Sequence, residues 1–216
     1  MTHNPIQPEL STRESSRPAA AQVAEAIRRA LDIALAGVGL VLAAPLVLGC
    51  CAWIRFVDGG PVLYRQWRVG WNGWLFRIYK LRTMVLDAER DQVPRFASRG
   101  DARILPGCAW MRKSHVDELP QLVNVLLGQM SLVGPRPERP EVMEDLYPSI
   151  PRIERRLAVR PGLTGLAQLE QGYANDTRGS RVKMAHDLRY LRRRSLATDL
   201  WLMFRTLPKV WDRASL

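Results

Sequence analysis

The chain begins polar, turns apolar for one long uninterrupted run, and then breaks into short amphipathic segments separated by Gly and Pro. Residues 1–26 are rich in Ser, Pro, Ala, Gln and Glu, with almost no large apolar residue before Val23. That composition reads as a disordered extension with a short helical lead-in from Ala20. Over positions 33–54, 22 consecutive residues include no Asp, Glu, Lys or Arg, enough for a helix of about 33 Å. We expect a membrane-embedded helix over residues 27–57; the competing reading is a buried helix of a soluble protein. The run starts too late and is too long for a signal peptide. Arg28 and Arg29 precede it, while Arg55, Arg65 and Arg68 follow, so positive charge marks both ends as cytoplasmic and a simple span satisfies only one of them. Pro45 lies near the middle, where its missing N–H and its ring kink a helix. A helix that enters, bends at Ala44 and Pro45 and returns reconciles both flanks; a kinked spanning helix stays open on these grounds.

Past the apolar run the periods shorten. Asp58-Gly59-Gly60-Pro61 is a turn, and Gly70-Trp71-Asn72-Gly73 reads as a hairpin loop between strands at 64–69 and 74–81. Trp67, Trp71 and Trp74 suit either a headgroup region or an ordinary core. Lys80 and Arg82 close the hairpin, and residues 85–106 carry mixed charge in a loop. The Arg99-Gly100-Asp101 triplet is taken as coincidence.

The densest chemistry lies at 112–137, RKSHVDELPQLVNVLLGQMSLVGPRP. Leu119, Leu122, Val123, Leu126 and Leu127 follow the i, i+3, i+4, i+7, i+8 spacing of a buried helical stripe, with Pro120 in the first turn and Gly128 at the stop. Asp117 and Glu118 therefore sit at a helix N-terminus, where unpaired N–H groups favour ionised carboxylates. An ionised Asp can attack phosphorus or bind a hard cation, and Arg112 and Lys113 stand ready for a phosphate. The pair also fits an ordinary N-cap and first-turn acid. SLVGPRPERPE has no helical period and reads as a rigid extended loop that holds Arg136 between two prolines.

A charged helix is expected over 141–157, ending in Arg155 and Arg156. RPGLTGLAQ at 160–168 follows, a Gly-rich turn in which backbone N–H groups and Arg160 could hold an anion. Another helix is expected over 181–194, carrying Asp187. Last comes an amphipathic helix with Leu200, Met203, Phe204, Leu207 and Trp211 on one stripe, which suits a membrane interface as well as a core.

The net charge of +11 calls for an anionic partner. Zinc-finger, helix-turn-helix and aromatic-spaced RNA-binding signals are absent, so nucleic acid is not expected. Cys50, Cys51 and Cys108 offer no disulfide framework, and His3, His115 and His186 lack zinc-ligand spacing.

The string DELPQLVNVLLGQMSLVGPRPE resembles the signature of the bacterial sugar transferases, the monotopic polyprenyl-phosphate phosphoglycosyl transferases. GGPVLYRQWRVGWNGWLFRIYKLRTM at 59–84, RPGLTGLAQ and HDLRYLRRRSLATDL at 186–200 match in the same order. The resemblance runs from Arg28 to the C-terminus; Leu166 stands where many members have Trp. It implies an α+β, mainly helical fold: a re-entrant membrane helix hairpin, then a small cytosolic catalytic domain over 58–216 with a β-hairpin and interfacial helices. The implied activity moves a sugar-1-phosphate from a UDP-sugar to polyprenyl (undecaprenyl) phosphate on the cytoplasmic face of a bacterial inner membrane, with release of UMP. In that scheme Asp117 and Glu118 are the catalytic residues, Asp117 as the nucleophile and Glu118 positioning magnesium or assisting the acceptor; both hold Mg2+, and Lys80, Arg82, Arg112, Arg136, Arg160 and Asp187 bind substrate. A homo-oligomeric state is left open, and a non-catalytic membrane scaffold is the rival reading.

Overall fold

The computed structural model describes residues 18–88, 101–171 and 177–209. Most of the expected N-terminal extension, Arg99, Gly100 and Trp211 fall outside them. The apolar run belongs to one helix, α1 (Ala19–Asp58), which starts before the expected residue 27 and continues through Pro45. It stops at Gly59, whose left-handed φ of 66° lets its N–H reach the carbonyl of Arg55.

Only 11% of the most apolar part of α1 is buried, and by length and composition the helix can cross a membrane. Val38, Val41, Leu42, Leu46, Leu48 and Phe56 face outward, which removes the reading of a core helix. The opposite face packs on the rest of the chain along its length. Ala36 and Leu40 meet Phe76, Ile78, Leu122 and Val125; Val47, Cys50 and Ile54 meet Leu81, Leu105, Cys108 and Met111. Both ends are pinned to the same body. Arg28 donates to Asp199 at 2.7 Å, Arg29 donates to the carbonyls of Val125 and Leu126 at 2.6 and 2.8 Å, and Asp58 pairs with Arg82 at 2.5 Å.

The expected hairpin forms as β1 (Leu63–Val69) and β2 (Leu75–Leu81), antiparallel with Trp67 opposite Arg77. Its loop turns on Asn72 and Gly73, both at positive φ. Arg77 lies over the Trp67 ring at 4.5 Å.

The chain then makes α2 (Ala109–Lys113), a 3-10 turn at Val116–Glu118 and α3 (Gln121–Leu126). The buried face of α3 differs from the expected stripe. Gln121, Leu122, Asn124 and Val125 are buried while Leu127 is 59% exposed. Asn124 turns inward because it completes the hairpin edge: it accepts from Tyr79 N at 3.0 Å and donates to Arg77 O at 2.7 Å.

After α3, β3 (Ser131–Val133) pairs in parallel with β4 (Gly162–Thr164), a pairing too short for sequence alternation to reveal. α4 (Pro140–Leu146) and a 3-10 turn at Ile153–Ala158 replace the continuous helix expected over 141–157; Pro148 and Pro151 interrupt it. α5 (Leu166–Glu170), α6 (Thr177–Arg193) and α7 (Leu196–Lys209) complete the described chain. Leu202 of α7 is buried against Val133, Leu169 and Tyr190, with Leu166 packed beside them, whereas Leu200, Trp201 and Phe204 are exposed. Most of the described part of the expected stripe thus faces outward; the Leu207 side chain lies outside the described residues.

The glycines of the RPGLTG turn serve close packing rather than an open anion nest. A Cβ on Gly162 would stand 2.0 Å from Gly134 N, and one on Gly165 would stand 2.2 Å from Gly134 O. Their strand is already committed, with Gly162 N donating to Pro135 O and Gly134 N to Thr164 O. Gly162→Ala is expected to cost at least about 3 kcal/mol through backbone overlap, read as a lowered unfolding temperature in detergent, while Gly37→Ala in α1, where nothing stands within 4 Å of a new Cβ, leaves it unchanged.

Candidate active site

Three elements converge on one acidic turn. His115, at φ 55°, reverses the chain between α2 and the 3-10 turn, so the basic end of α2 and the Asp117-Glu118 pair come together. β2 brings Lys80 from one side, and the loop after β3 brings Arg136 from the other.

Glu118 is held by both cations. Lys80 Nζ donates to its Oε1 at 2.7 Å, and Arg136 reaches Oε1 at 2.5 Å and Oε2 at 3.2 Å. Burial pushes the Glu118 carboxyl up, but Arg136 and then Lys80 outweigh it and hold the group well below the usual carboxylate range. Lys80 is itself drawn down by burial, with Glu118 opposing.

Asp117 is different. Among the described residues no hydrogen bond or ion pair engages its carboxylate, although Lys80, Arg112 and Arg136 all act on it electrostatically. Burial first, and the neighbouring Glu118 second, push its carboxyl up to about 6. The expected full ionisation of both acids therefore holds firmly for Glu118 and less so for Asp117. The ordinary N-cap reading fails, because α3 begins only at Gln121 and its cap position is Pro120, with no side-chain cap bond. Short and set back, that helix is a minor influence beside the three cations. The site is not dry: the side chains of Lys80 and Arg136 remain 18% and 22% exposed and mark the side on which solvent enters.

The remaining candidate residues divide among several places. Arg112 belongs to the site; it donates to Thr83 Oγ1 at 3.3 Å, and its Nε has no acceptor among the described residues. Arg82 is structural, 3% exposed and bound to Pro61 O and Asp58, so it locks the hairpin to the end of α1. Arg160 has partners of its own. It lies over the Trp71 ring at 4.7 Å, donates to Gly128 O at 3.1 Å and pairs with Glu25 at 3.4 Å. Asp187 is buried and pairs with Arg156 at 2.9 Å. Arg82, Arg160 and Asp187 each have an internal partner in this structure.

No group of three or more His, Cys, Asp and Glu side chains gathers into a chelate among the described residues. A hard cation held with one carboxylate and substrate phosphates needs no such cluster, and the unengaged oxygens of Asp117 meet that requirement better than the doubly paired Glu118.

Comparison with known proteins decides the lineage. The family model described as bacterial sugar transferase matches residues 23–213. The chain belongs to the bacterial sugar transferase family. It is 40% identical over 184 residues to the UDP-N-acetylgalactosamine-undecaprenyl-phosphate N-acetylgalactosaminephosphotransferase of Aeromonas hydrophila, covering 85% of this chain and 43% of that protein. It is 41% identical over 186 residues to the UDP-glucose:undecaprenyl-phosphate glucose-1-phosphate transferase of Caulobacter vibrioides, covering 85% and 69%. With the exopolysaccharide production protein ExoY of Rhizobium meliloti it shares 37% identity over 197 residues, covering 85% and 84%. It therefore spans less than half of the first relative and most of the third.

Two groups of residues in this sugar transferase escaped sequence reading. Glu138, Arg156 and Lys183 form a buried charge network with Asp187: Arg156 pairs with Asp187 and Glu138, and Lys183 with Glu138. Glu25, Arg28, Arg194 and Asp199 bind the start of α1 to the α6–α7 junction. Their partners lie far apart in sequence, and no local pattern announces such pairs; Arg156 was expected on a solvated helix end. Because its folded pKa is raised, ionised Asp117 opposes folding, and its penalty grows as pH rises from its ordinary value through about 6. Asp117→Asn, measured with EDTA present, is expected to stabilise the protein at pH 7.5 by up to about 3 kcal/mol, from roughly 1.4 kcal/mol per pKa unit, with the gain vanishing below about pH 4. Equal unfolding temperatures for variant and parent at pH 7.5 would contradict the raised value.

Proposed function

We propose that this chain transfers a sugar-1-phosphate from a UDP-sugar to undecaprenyl phosphate, releasing UMP, by way of a covalent phosphoglycosyl group on Asp117. The observation that carries the reading is a carboxylate with no hydrogen-bond or ion-pair partner among the described residues, within the field of three cations, beside a second carboxylate that two of those cations hold. The printed names of the relatives supply the substrate class, a nucleotide sugar and a polyprenyl phosphate.

Asp117 attacks the phosphorus that carries the sugar, its Oδ–P bond forming as the P–O bond to UMP breaks. The acceptor phosphate then attacks the same phosphorus and frees Asp117. Each step sets anion against anion, and Lys80, Arg112 and Arg136 lower that repulsion. Glu118 touches no substrate in this scheme; it orients Lys80 and Arg136. Arg112 Nε and Gln121 Nε2 are buried donors with no acceptor among the described residues, and phosphate oxygens of the donor would supply one. Mg2+ fits Asp117 together with the donor diphosphate, where it would neutralise charge on the leaving group.

In the same reading α1 dips into the cytoplasmic leaflet and both of its ends stay on the cytoplasmic side. The support is that Arg28 and Arg29 at one end and Asp58 at the other are all tied to one body, and that Leu200, Trp201 and Phe204 of α7 add exposed apolar surface suited to the interface. The apolar acceptor and the soluble donor then meet at one plane.

Purified protein with magnesium, undecaprenyl phosphate and a panel of UDP-sugars is expected to release UMP with at least one of them. Asp117→Asn should lower that rate at least about a thousandfold and Lys80→Met by about a hundredfold. No UMP from any UDP-sugar would refute the activity. In a background lacking the native cysteines, single cysteines at positions 26 and 58 should both react with a membrane-impermeant maleimide from the cytoplasmic side alone; labelling from opposite sides would establish a spanning helix.

A further inference from the structure

Four consecutive carbonyls in the Pro-rich loop each accept from a different donor. Pro135 O takes Gly162 N at 2.9 Å, Arg136 O takes Arg156 Nη2 at 2.6 Å, Pro137 O takes Arg68 Nη1 at 3.1 Å, and Glu138 O takes Val69 N at 2.9 Å. A segment with two prolines cannot build its own ladder, so it must be held from outside. Two of the four holders are backbone amides, which cost little to bury. The other two are guanidinium groups, and removing such a group from water costs several kcal/mol unless acids compensate it.

The acids are present. The side chains of Arg156 and Asp187 are 5% and 3% exposed and stand 2.9 Å apart; Glu138 lies 3.4 Å from Arg156 and also takes Lys183. An expensive buried cation is thus fixed by Asp187 and aimed at the carbonyl of the one loop residue whose own guanidinium grips Glu118. We propose that Arg156, oriented by Asp187, is a positioning residue: it fixes the backbone of Arg136 and thereby the Arg136–Glu118 bridge, without touching substrate itself. This rests on the reading above for the part Arg136 plays, but the geometry of the loop is independent of it.

The chain of contact predicts non-additivity. Arg156→Met leaves Arg136 O and Asp187 without their partner, so Arg136 drifts and kcat/KM for UMP release falls by about tenfold to a hundredfold. In an Arg136→Met background the same change should cost no more than about twofold, since the group it positions is gone. Arg156→Lys keeps a charge but has one nitrogen on a flexible stem in place of the planar fork, whose Nη2 meets both Asp187 and Arg136 O while Nη1 faces Glu138; it should fold, reproduce most of the loss, and carry the comparison should Arg156→Met fail to accumulate. Amide hydrogen exchange over residues 134–139 supplies a readout that needs no turnover: Arg156→Lys should speed it at least about tenfold while the hairpin at 63–81 keeps its rates. An equal loss of activity in both backgrounds, or unchanged exchange in the loop, overturns the proposal. If the wild type releases no UMP, the exchange result still decides the positioning role on its own.

Discussion

Two carboxylates placed side by side in a buried turn repel each other, and the architecture around the site follows from how that repulsion is managed. Lys80 and Arg136 are both spent on Glu118, which stays ionised. Asp117 receives the field of the same cations without being bound by any of them among the described residues. A carboxylate hydrogen-bonded to a cation is a poor nucleophile, and one stripped of all positive surroundings is protonated. The arrangement avoids both outcomes, and it does so with three elements distant in sequence: the end of β2, the turn after α2 and the loop after β3.

Holding those elements in register is the work of the remaining polar contacts. Asn124 fastens α3 to the hairpin that carries Lys80. The glycines at 134, 162 and 165 let two backbone segments approach more closely than any side chain would permit, which places the start of the Pro-rich loop. Arg82 with Asp58, and Glu25 with Arg160 and Arg194, bind the long helix to that same frame. The candidate site and the long apolar helix are therefore tied to one frame.

Local pattern made some of this readable in advance. The apolar run, the hairpin around Gly70 and Gly73, and the clustering of Asp117, Glu118, Arg112 and Arg136 each rest on neighbours in sequence or on an unmistakable composition. What stayed hidden depends on partners far apart. Nothing near Arg156 announces that it turns inward to Asp187, and nothing near Arg160 announces its contacts with Trp71 and Glu25. The α3 stripe was rotated because Asn124 gains more by completing a strand edge than Leu127 gains by burial. The charge pattern of 141–157 is helical, but Pro148 and Pro151 divide the segment into α4 and a 3-10 turn.

The exposed apolar face of α1 and the outward residues of α7 give the body a surface suited to lipid, next to a site that, in the proposed function, receives one water-soluble and one lipid-soluble phosphate. The central claim is that Asp117 carries the sugar phosphate between them. Its most direct measurement is intact-protein mass after incubation with magnesium and a UDP-sugar that supports UMP release, with no lipid acceptor present. The account predicts a mass increase of one sugar phosphate, mapped to the peptide containing Asp117, absent in Asp117→Asn and discharged by added undecaprenyl phosphate. Turnover in the presence of acceptor with no adduct at any time in its absence would contradict it.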